Sequence, residues 1–218
     1  MARQYELVVF DWDGTLMDSA AAIVQAISSA CRDLDVEPPT EERARHVIGL
    51  GLVDALRHAV PNLPASRYAQ MADRYRHHYL SGDHTLTLFA GVRDLLDALQ
   101  AAGLTLAVAT GKSRRGLDRA LGHSGLAPLF QATRCADESF SKPHPAMLDE
   151  LMSELGVAPE ATVMIGDTIH DLQMARNAGV AGVGVAYGAH PRGVLEEEMP
   201  LALVDSVLEL RQWLMARV

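Results

Sequence analysis

The sequence predicts an α/β fold, a doubly wound parallel sheet with an all-helical segment inserted near its start. After Gly91, short apolar runs alternate with helical patterns, as they do in βαβ units. Residues 17 to about 86 show helical periodicity and none of the alternation typical of strands. We therefore expect a core domain formed by residues 1–16 and 87–218, and a helical cap domain formed by residues 17–86.

The first strand is predicted at residues 8–10, a run of β-branched and aromatic residues that suits a sheet covered on both faces. Asp11 and Asp13 follow directly, with Gly14 next. They would lie at the carboxyl edge of the sheet, where open α/β sheets bind their ligands. Two carboxylates so close together repel each other unless they share a cation or one stays protonated. This segment is therefore a candidate site for a cation or for acid–base chemistry.

Four helices are predicted in the inserted segment, at residues 19–34, 41–48, 52–59 and 68–82. The turn at residues 48–52 carries Gly49 and Gly51 on either side of Leu50. Glycines allow backbone to approach a ligand closely, and a plain helix–helix turn explains the same pattern equally well. The nearest charged candidates for substrate contacts are Arg45 and His46.

The core then continues with further apolar runs that end in polar residues. Residues 104–109 lead to Thr110 and Gly111, at a helix start whose amides suit a phosphate oxygen. Residues 162–165 lead to Asp167 and Asp171, which share one face of a helix that begins between them. Lys142 lies between these segments, on a loop stiffened by two prolines. Carboxylates that hold a hard cation, with a lysine and amides that neutralise phosphoryl oxygens, indicate a phosphoryl-transfer site.

The remaining helices and strands are predicted from the residues that begin or end them. Helices are predicted at residues 92–102, 114–123, 145–155 and 169–178, and glycines follow three of them as C-terminal stops. A strand is predicted at residues 181–186. Ser206 and Glu209 form a candidate capping box for a last helix that runs through Trp213.

In this order, the polar segments resemble the four motifs of the haloacid dehalogenase superfamily, over residues 5 to about 190. The motifs are residues 11–15, Thr110, Lys142 with its following proline, and residues 166–167 with Asp171. The resemblance is greatest to the phosphoglycolate phosphatase-like branch, in which a helical cap follows the first motif. It implies a hydrolase that uses Mg²⁺ and cleaves a small phosphomonoester through an aspartyl-phosphate.

The resemblance also implies a role for each residue. Asp11 would be the nucleophile and Asp13 the general acid and base. Thr110, Gly111 and Lys142 would bind the phosphoryl group, and Lys142 would also steady the nucleophile. Magnesium ligands would be Asp11, Asp167 and the backbone carbonyl of Asp13, supported by Asp171. Many relatives carry asparagine after the motif-two threonine, whereas this chain has Gly111 and Lys112.

Other functions remain possible on these motifs. A sugar or amino-sugar phosphate phosphatase would share them, and so would a phosphomutase of the β-phosphoglucomutase type, in which a second sugar hydroxyl replaces water. A dehalogenase would not need an acid at Asp13. A signalling receiver domain combines similar groups on a similar sheet, but it has no large helical insert.

Composition is consistent with a cytoplasmic enzyme that acts on small molecules. A net charge of −9 and a pI of about 5.4 disfavour nucleic acid as a partner. Cys31 and Cys135 form no metal-ligand pattern and indicate no disulfide framework. We expect no secretory signal at residues 1–5 and no membrane span. The oligomeric state does not follow from the sequence.

Overall fold

A computed structural model describes residues 4–217, so residues 1–3 and 218 of the predicted core domain lie outside the described part. The described chain contains six strands that form one parallel sheet in the order β3-β2-β1-β4-β5-β6. These strands are β1 (Leu7–Phe10), β2 (Thr105–Thr110), β3 (Ala132–Cys135), β4 (Thr162–Gly166), β5 (Ala181–Val185) and β6 (Ala202–Val204). The predicted fold class, a doubly wound parallel sheet, is confirmed.

The ten described α-helices lie partly in the insert and partly beside the sheet. Those of the inserted segment are α1 (Ala20–Asp33), α2 (Glu41–His46), α3 (Leu52–Ala59) and α4 (Tyr68–Gly82). The others are α5 (Val92–Ala101), α6 (Arg114–Ser124), α7 (Ala146–Leu155), α8 (Ile169–Asn177), α9 (Arg192–Glu196) and α10 (Val207–Met215). The helices and strands predicted from periodicity occur within two residues of their expected bounds.

Strand β1 shows why the sheet is covered on both faces. Its four residues are fully buried, and they alternate between two apolar layers. Val8 and Phe10 pack in a cluster with residues of α5 and α10, whereas Leu7 and Val9 pack in a cluster with residues of α7 and α8. The carboxyl end of β1 lies between β2 and β4, at the centre of the sheet. Side chains that follow these three strands therefore meet at one edge.

Three short elements were not predicted from the sequence, namely β3, β6 and α9. Strands β3 and β6 form the two edges of the sheet, and each mixes buried with half-buried positions. Their sequences accordingly lack the continuous apolar run that marks a central strand. Helix α9 has five residues, too few for a helical pattern to be recognised.

The inserted segment leaves and rejoins the sheet at a single place. Met17 pairs with Leu88 in an isolated antiparallel bridge, and the amide of Asp18 donates to the carbonyl of Thr87 at 3.0 Å. Within the segment, α1 packs against α4 around a separate apolar cluster. The division into core and cap domains stays a prediction.

Two further features of the described chain are the state of its cysteines and the length and polarity of its helices. Cys31 and Cys135 are both buried free thiols. Within residues 4–217, the helices are all too short or too polar to span a lipid bilayer.

Candidate active site

The carboxyl edge of β1 brings together a buried lysine and two buried aspartates. The Lys142 ammonium donates to Oδ1 of Asp11 and to Oδ1 of Asp171, each at 2.6 Å. All three side chains are at most 1% exposed. Burial disfavours the ammonium, but Asp11 and Asp171 together outweigh it and raise the pKa of Lys142. Lys142 is therefore held charged against the proposed nucleophile.

Asp167 follows β4 and approaches the same point from the other side of β1. Its Oδ1 accepts from the Thr15 hydroxyl at 2.9 Å, and its Oδ2 accepts from the Ala189 amide at 2.7 Å. Gly14 adopts a φ of +85°, and a Cβ there would overlap the Asp167 carboxylate. The glycine after the first motif is thus required by the close approach of Asp167 to the turn that follows β1.

These side chains form a candidate metal centre. Carboxylate oxygens of Asp11, Asp167 and Asp171 lie within 4.8 Å of one another. Oδ2 of Asp11 is buried and has no hydrogen-bond partner among the described residues, which suits an oxygen that coordinates a cation. When Asp11, Asp13, Asp167 and Asp171 are all ionised, their negative charge exceeds the positive charge of Lys142 and Lys112 by two. The donor set and the charge therefore both fit a divalent cation.

The buried carboxylates give the metal-free protein a pH-dependent stability. Burial raises the pKa of Asp11 from 3.8 to about 7, despite the opposing effect of Lys142. Because the folded protein binds this proton more tightly than the unfolded chain, its stabilising contribution is present below about pH 4 and is lost as the pH rises through about 7. In chelator, we expect the melting temperature of wild type minus that of Asp11→Asn to fall from pH 4.5 to 7.5. A constant difference would contradict the assignment.

Asp13 lies in a second cluster, next to the first. Its Oδ1 accepts from the Ser19 hydroxyl at 2.7 Å, and its Oδ2 lies 2.9 Å from the Lys112 ammonium. Lys112 also donates to the hydroxyl of Tyr79, which comes from α4 of the inserted segment, at 3.0 Å. Burial raises the pKa of the Tyr79 phenol to about 12, and the Asp13 carboxylate adds to this effect. The candidate acid and base is thus surrounded by groups from both parts of the chain.

The end of β2 is covered by the turn that the sequence singled out. Thr110 is buried, and its hydroxyl accepts from the Lys112 amide at 3.2 Å. Beside it, a Cβ on Gly111 would come within 2.5 Å of the carbonyl oxygens of Gly49 and Leu50. Glycine in place of the family's asparagine therefore lets the backbone of the inserted segment rest directly on the loop that follows β2.

We expect Gly111→Ala to lower phosphate release by at least roughly tenfold on every substrate, because two backbone carbonyls leave no room for a methyl group. Gly122→Ala is the matched control, since Gly122 lies exposed in α6 with no atom within 4 Å of its would-be Cβ. Steady-state kinetics and thermal unfolding of both variants check this. Full activity in Gly111→Ala would show that the turn does not rest on β2 during turnover.

A cavity of about 830 Å³ opens between the inserted segment and the sheet edge. Asp11, Asp13, Thr110 and Lys112 line its polar end. Its other walls are largely apolar and come mainly from the inserted segment, including Ile23, Ile27, Val47, Leu52, Leu56 and Leu80. Both glycines of the 48–52 turn also line it. The site can thus enclose a phosphate together with an attached organic group.

The histidines near the site make structural contacts. His170 and His190 both place Nε2 near the carbonyl oxygen of His46, at 2.8 and 3.2 Å. Burial lowers the pKa of both, that of His190 to about 4. His144 accepts the Ala146 amide at the start of α7. Each of these three histidines therefore contacts a backbone group.

The sequence assigned no role in the site to four of its polar residues. These are Thr15, Ser19, Tyr79 and Lys112, and each bonds a residue that was predicted. Thr15 and Ser19 lie within six residues of Asp13, so their proximity in sequence was an available signal. Tyr79 lies in a helix that was predicted from periodicity at residues 68–82, and its hydroxyl gave no separate signal.

Comparison with known proteins supports the assignment of the four motifs to the haloacid dehalogenase superfamily. A model of the haloacid dehalogenase-like hydrolase family matches residues 8–185. The chain therefore belongs to the haloacid dehalogenase-like hydrolase family. Fold, site and family together identify it as an enzyme of the hydrolase class.

Individual relatives refine this assignment. The chain is 36% identical to the probable phosphatase IndB of Dickeya dadantii, over 94% of this chain and 91% of that protein. It is 31% identical to a phosphoglycolate phosphatase of Vibrio vulnificus, over 95% of each. A crystal structure described as a predicted phosphoglycolate phosphatase from Haemophilus somnus superposes with a TM-score of 0.87 at 27% identity, over 98% of this chain and 99% of that one. The predicted resemblance to the phosphoglycolate phosphatase-like branch is confirmed.

Proposed function

We propose that this protein is a magnesium-dependent phosphatase that hydrolyses a small phosphomonoester, phosphoglycolate or a close analogue, through an aspartyl-phosphate on Asp11. The observation that carries the proposal is the buried Asp11 carboxylate. One of its oxygens is held by Lys142 at 2.6 Å, and the other has no hydrogen-bond partner among residues 4–217. A carboxylate oriented by one oxygen and open at the other suits a nucleophile next to a cation.

In the first half of the reaction, a carboxylate oxygen of Asp11 attacks phosphorus and the bond from phosphorus to the alcohol oxygen breaks. Asp13 gives its proton to the departing oxygen, so the alcohol leaves neutral. The Thr110 hydroxyl and the Gly111 amide bind phosphoryl oxygens. Lys142 supplies positive charge where negative charge develops.

In the second half, water attacks the phosphorus of the aspartyl-phosphate. Asp13 takes a proton from that water, the bond between phosphorus and Asp11 breaks, and inorganic phosphate leaves with the Asp11 carboxylate restored. The inserted segment covers the site and excludes other water, by a closure hinged near residues 15–18 and 85–90. The pairing of Met17 with Leu88 joins these two linkers, which supports a common hinge.

Asp11, Asp167 and the backbone carbonyl of Asp13 would hold Mg²⁺, with Asp171 as support. When bound, the cation neutralises phosphoryl charge and lets the Asp11 carboxylate approach an anionic substrate. Asp171 contacts Lys142 and also accepts from the Thr168 hydroxyl at 2.7 Å. It therefore acts on the metal centre by fixing its neighbours.

The test is a phosphate-release screen with magnesium present, across phosphoglycolate, sugar phosphates, amino-sugar phosphates and nucleotides. The proposal expects net release of inorganic phosphate, with phosphoglycolate among the best substrates. Absence of release from every ester, in protein that is folded and loaded with magnesium, would overturn it.

The cavity supports a second candidate, a sugar or amino-sugar phosphate. Its volume of about 830 Å³ exceeds what the two-carbon leaving group of phosphoglycolate fills. In the same screen, a larger leaving group would then be preferred. Interconversion of sugar phosphate isomers without net phosphate release would instead identify a mutase.

A further inference from the structure

A buried cation lies in the substrate cavity, directly after the glycine that replaces the family's asparagine. Lys112 lies two residues after Thr110 and lines the cavity, yet its side chain is only 11% exposed. Burial disfavours its ammonium, but Asp13, Tyr79 and Tyr75 together outweigh that effect and raise the pKa of Lys112. Lysine side chains are rarely this buried without a charged partner, and the ion pair itself is costly to desolvate.

The partners of Lys112 fix its direction. Nζ lies 2.9 Å from Oδ2 of Asp13 and 3.0 Å from the Tyr79 hydroxyl, and 4.6 Å from the centre of the Tyr79 ring. An ammonium carries three N–H donors. Among residues 4–217, Asp13 and Tyr79 are its two polar side-chain partners, so one donor remains for a ligand in the cavity.

The arginines that line the cavity are more exposed than Lys112, and they have other partners or lie at the rim. Arg76 pairs with Asp73 and Arg119 pairs with Asp83, and both arginines are more than half exposed. Arg115 is exposed at the rim. Within the described chain, Lys112 is therefore the shielded cation next to the candidate acid.

Position then determines what Lys112 can recognise. If Asp13 protonates the leaving oxygen, that oxygen lies within hydrogen-bond reach of the Asp13 carboxylate. The Lys112 ammonium, at the same carboxylate, is then roughly 4–6 Å from the leaving oxygen, about two hydrogen-bond lengths. A carboxylate attached to the carbon that bears the ester oxygen spans this distance.

We propose that Lys112, positioned by Tyr79 of the inserted segment, is the specificity-determining residue of the leaving-group subsite and selects esters with a carboxylate on the carbon that bears the ester oxygen. This inference rests on the proposed phosphatase function and names its substrate class. A charge-assisted hydrogen bond at a desolvated site corresponds to roughly 10- to 100-fold in specificity.

The experiment compares 2-phosphoglycolate with 2-hydroxyethyl phosphate, in which a neutral CH₂OH replaces the carboxylate, on the magnesium-loaded enzyme. Wild type is expected to favour phosphoglycolate in kcat/KM by roughly 10- to 100-fold. In Lys112→Met this ratio should fall to within about threefold of unity, whatever the change in absolute rate. Lys112→Arg should recover part of it, because its charge is retained. Arg115→Gln, the matched control at the cavity rim, should keep the wild-type ratio.

Tyr79→Phe removes one hydroxyl, and it is the test variant to use if thermal unfolding shows that Lys112→Met does not fold. It should lower the ratio by roughly threefold, since it releases the ammonium from one partner. Equal hydrolysis of both esters by wild type, or an unchanged ratio in Lys112→Met or in a folded Tyr79→Phe, would overturn the inference and leave the phosphatase function standing. No phosphate release from either ester by wild type would overturn both.

Discussion

Replacement of Asp11 by asparagine is expected to abolish phosphate release while leaving the fold intact. An amide cannot act as the attacking carboxylate, so we expect kcat/KM to fall by roughly 10⁴-fold or more. The fold should persist because the amide oxygen can still accept from Lys142 where Oδ1 of Asp11 does now. In the metal-free protein, removal of a buried negative charge near Asp167 and Asp171 also relieves repulsion. Steady-state phosphate release and thermal unfolding measure the two effects.

Asp18→Asn is the matched control, because Asp18 is exposed on the linker just beyond the motif. Its activity should stay within about threefold of wild type. If Asp11→Asn kept activity within tenfold of wild type at a normal melting temperature, the assignment of the nucleophile would be wrong.

The second large effect is expected on removal of magnesium. Chelation should reduce phosphate release by at least roughly 100-fold, since the carboxylates would then repel an anionic substrate. Magnesium at about 100 times its dissociation constant stabilises by about 2.7 kcal/mol, which raises the melting temperature by roughly 5–10 °C for a chain of this length. Calcium should inhibit, because its larger and looser coordination sphere misplaces the nucleophile.

Asp167→Asn isolates the metal contribution. The variant should lose the magnesium-dependent rise in melting temperature, and its metal-free stability should not fall, because burial and nearby carboxylates raise the pKa of Asp167. Asp149→Asn, at an exposed position of α7, should keep the full rise. Unchanged phosphate release in excess chelator would argue against the metal centre as a whole.

The central strands of the sheet could be predicted from the sequence because they are buried on both faces. Strands β1, β2 and β4 are continuous apolar runs, and each ends at a polar residue. Since parallel strands end at one edge, the positions of Asp11, Thr110 and Asp167 followed without knowledge of the strand order. The edge strands were missed because mixed burial removes that signal.

Contacts between the inserted segment and the sheet were not predictable in the same way. Helical periodicity shows that α4 has an apolar face, but not that Tyr79 on it meets Lys112 of the core. The carbonyl of His46 receives His170 and His190, although backbone carbonyls carry no sequence signal. Such contacts depend on how two packed bodies dock, and single-sequence patterns describe each helix by itself.

The paired linkers at Met17 and Leu88 have a consequence for how this enzyme can change. Because the insert starts and finishes at adjacent residues, it is topologically a long loop, and lengthening, shortening or exchanging it leaves the strand order untouched. The proposed nucleophile and the candidate metal ligands lie outside it, whereas Tyr79 and most apolar walls of the cavity lie within it. Mutation can therefore change most of the cavity walls while the residues of the candidate metal centre stay the same.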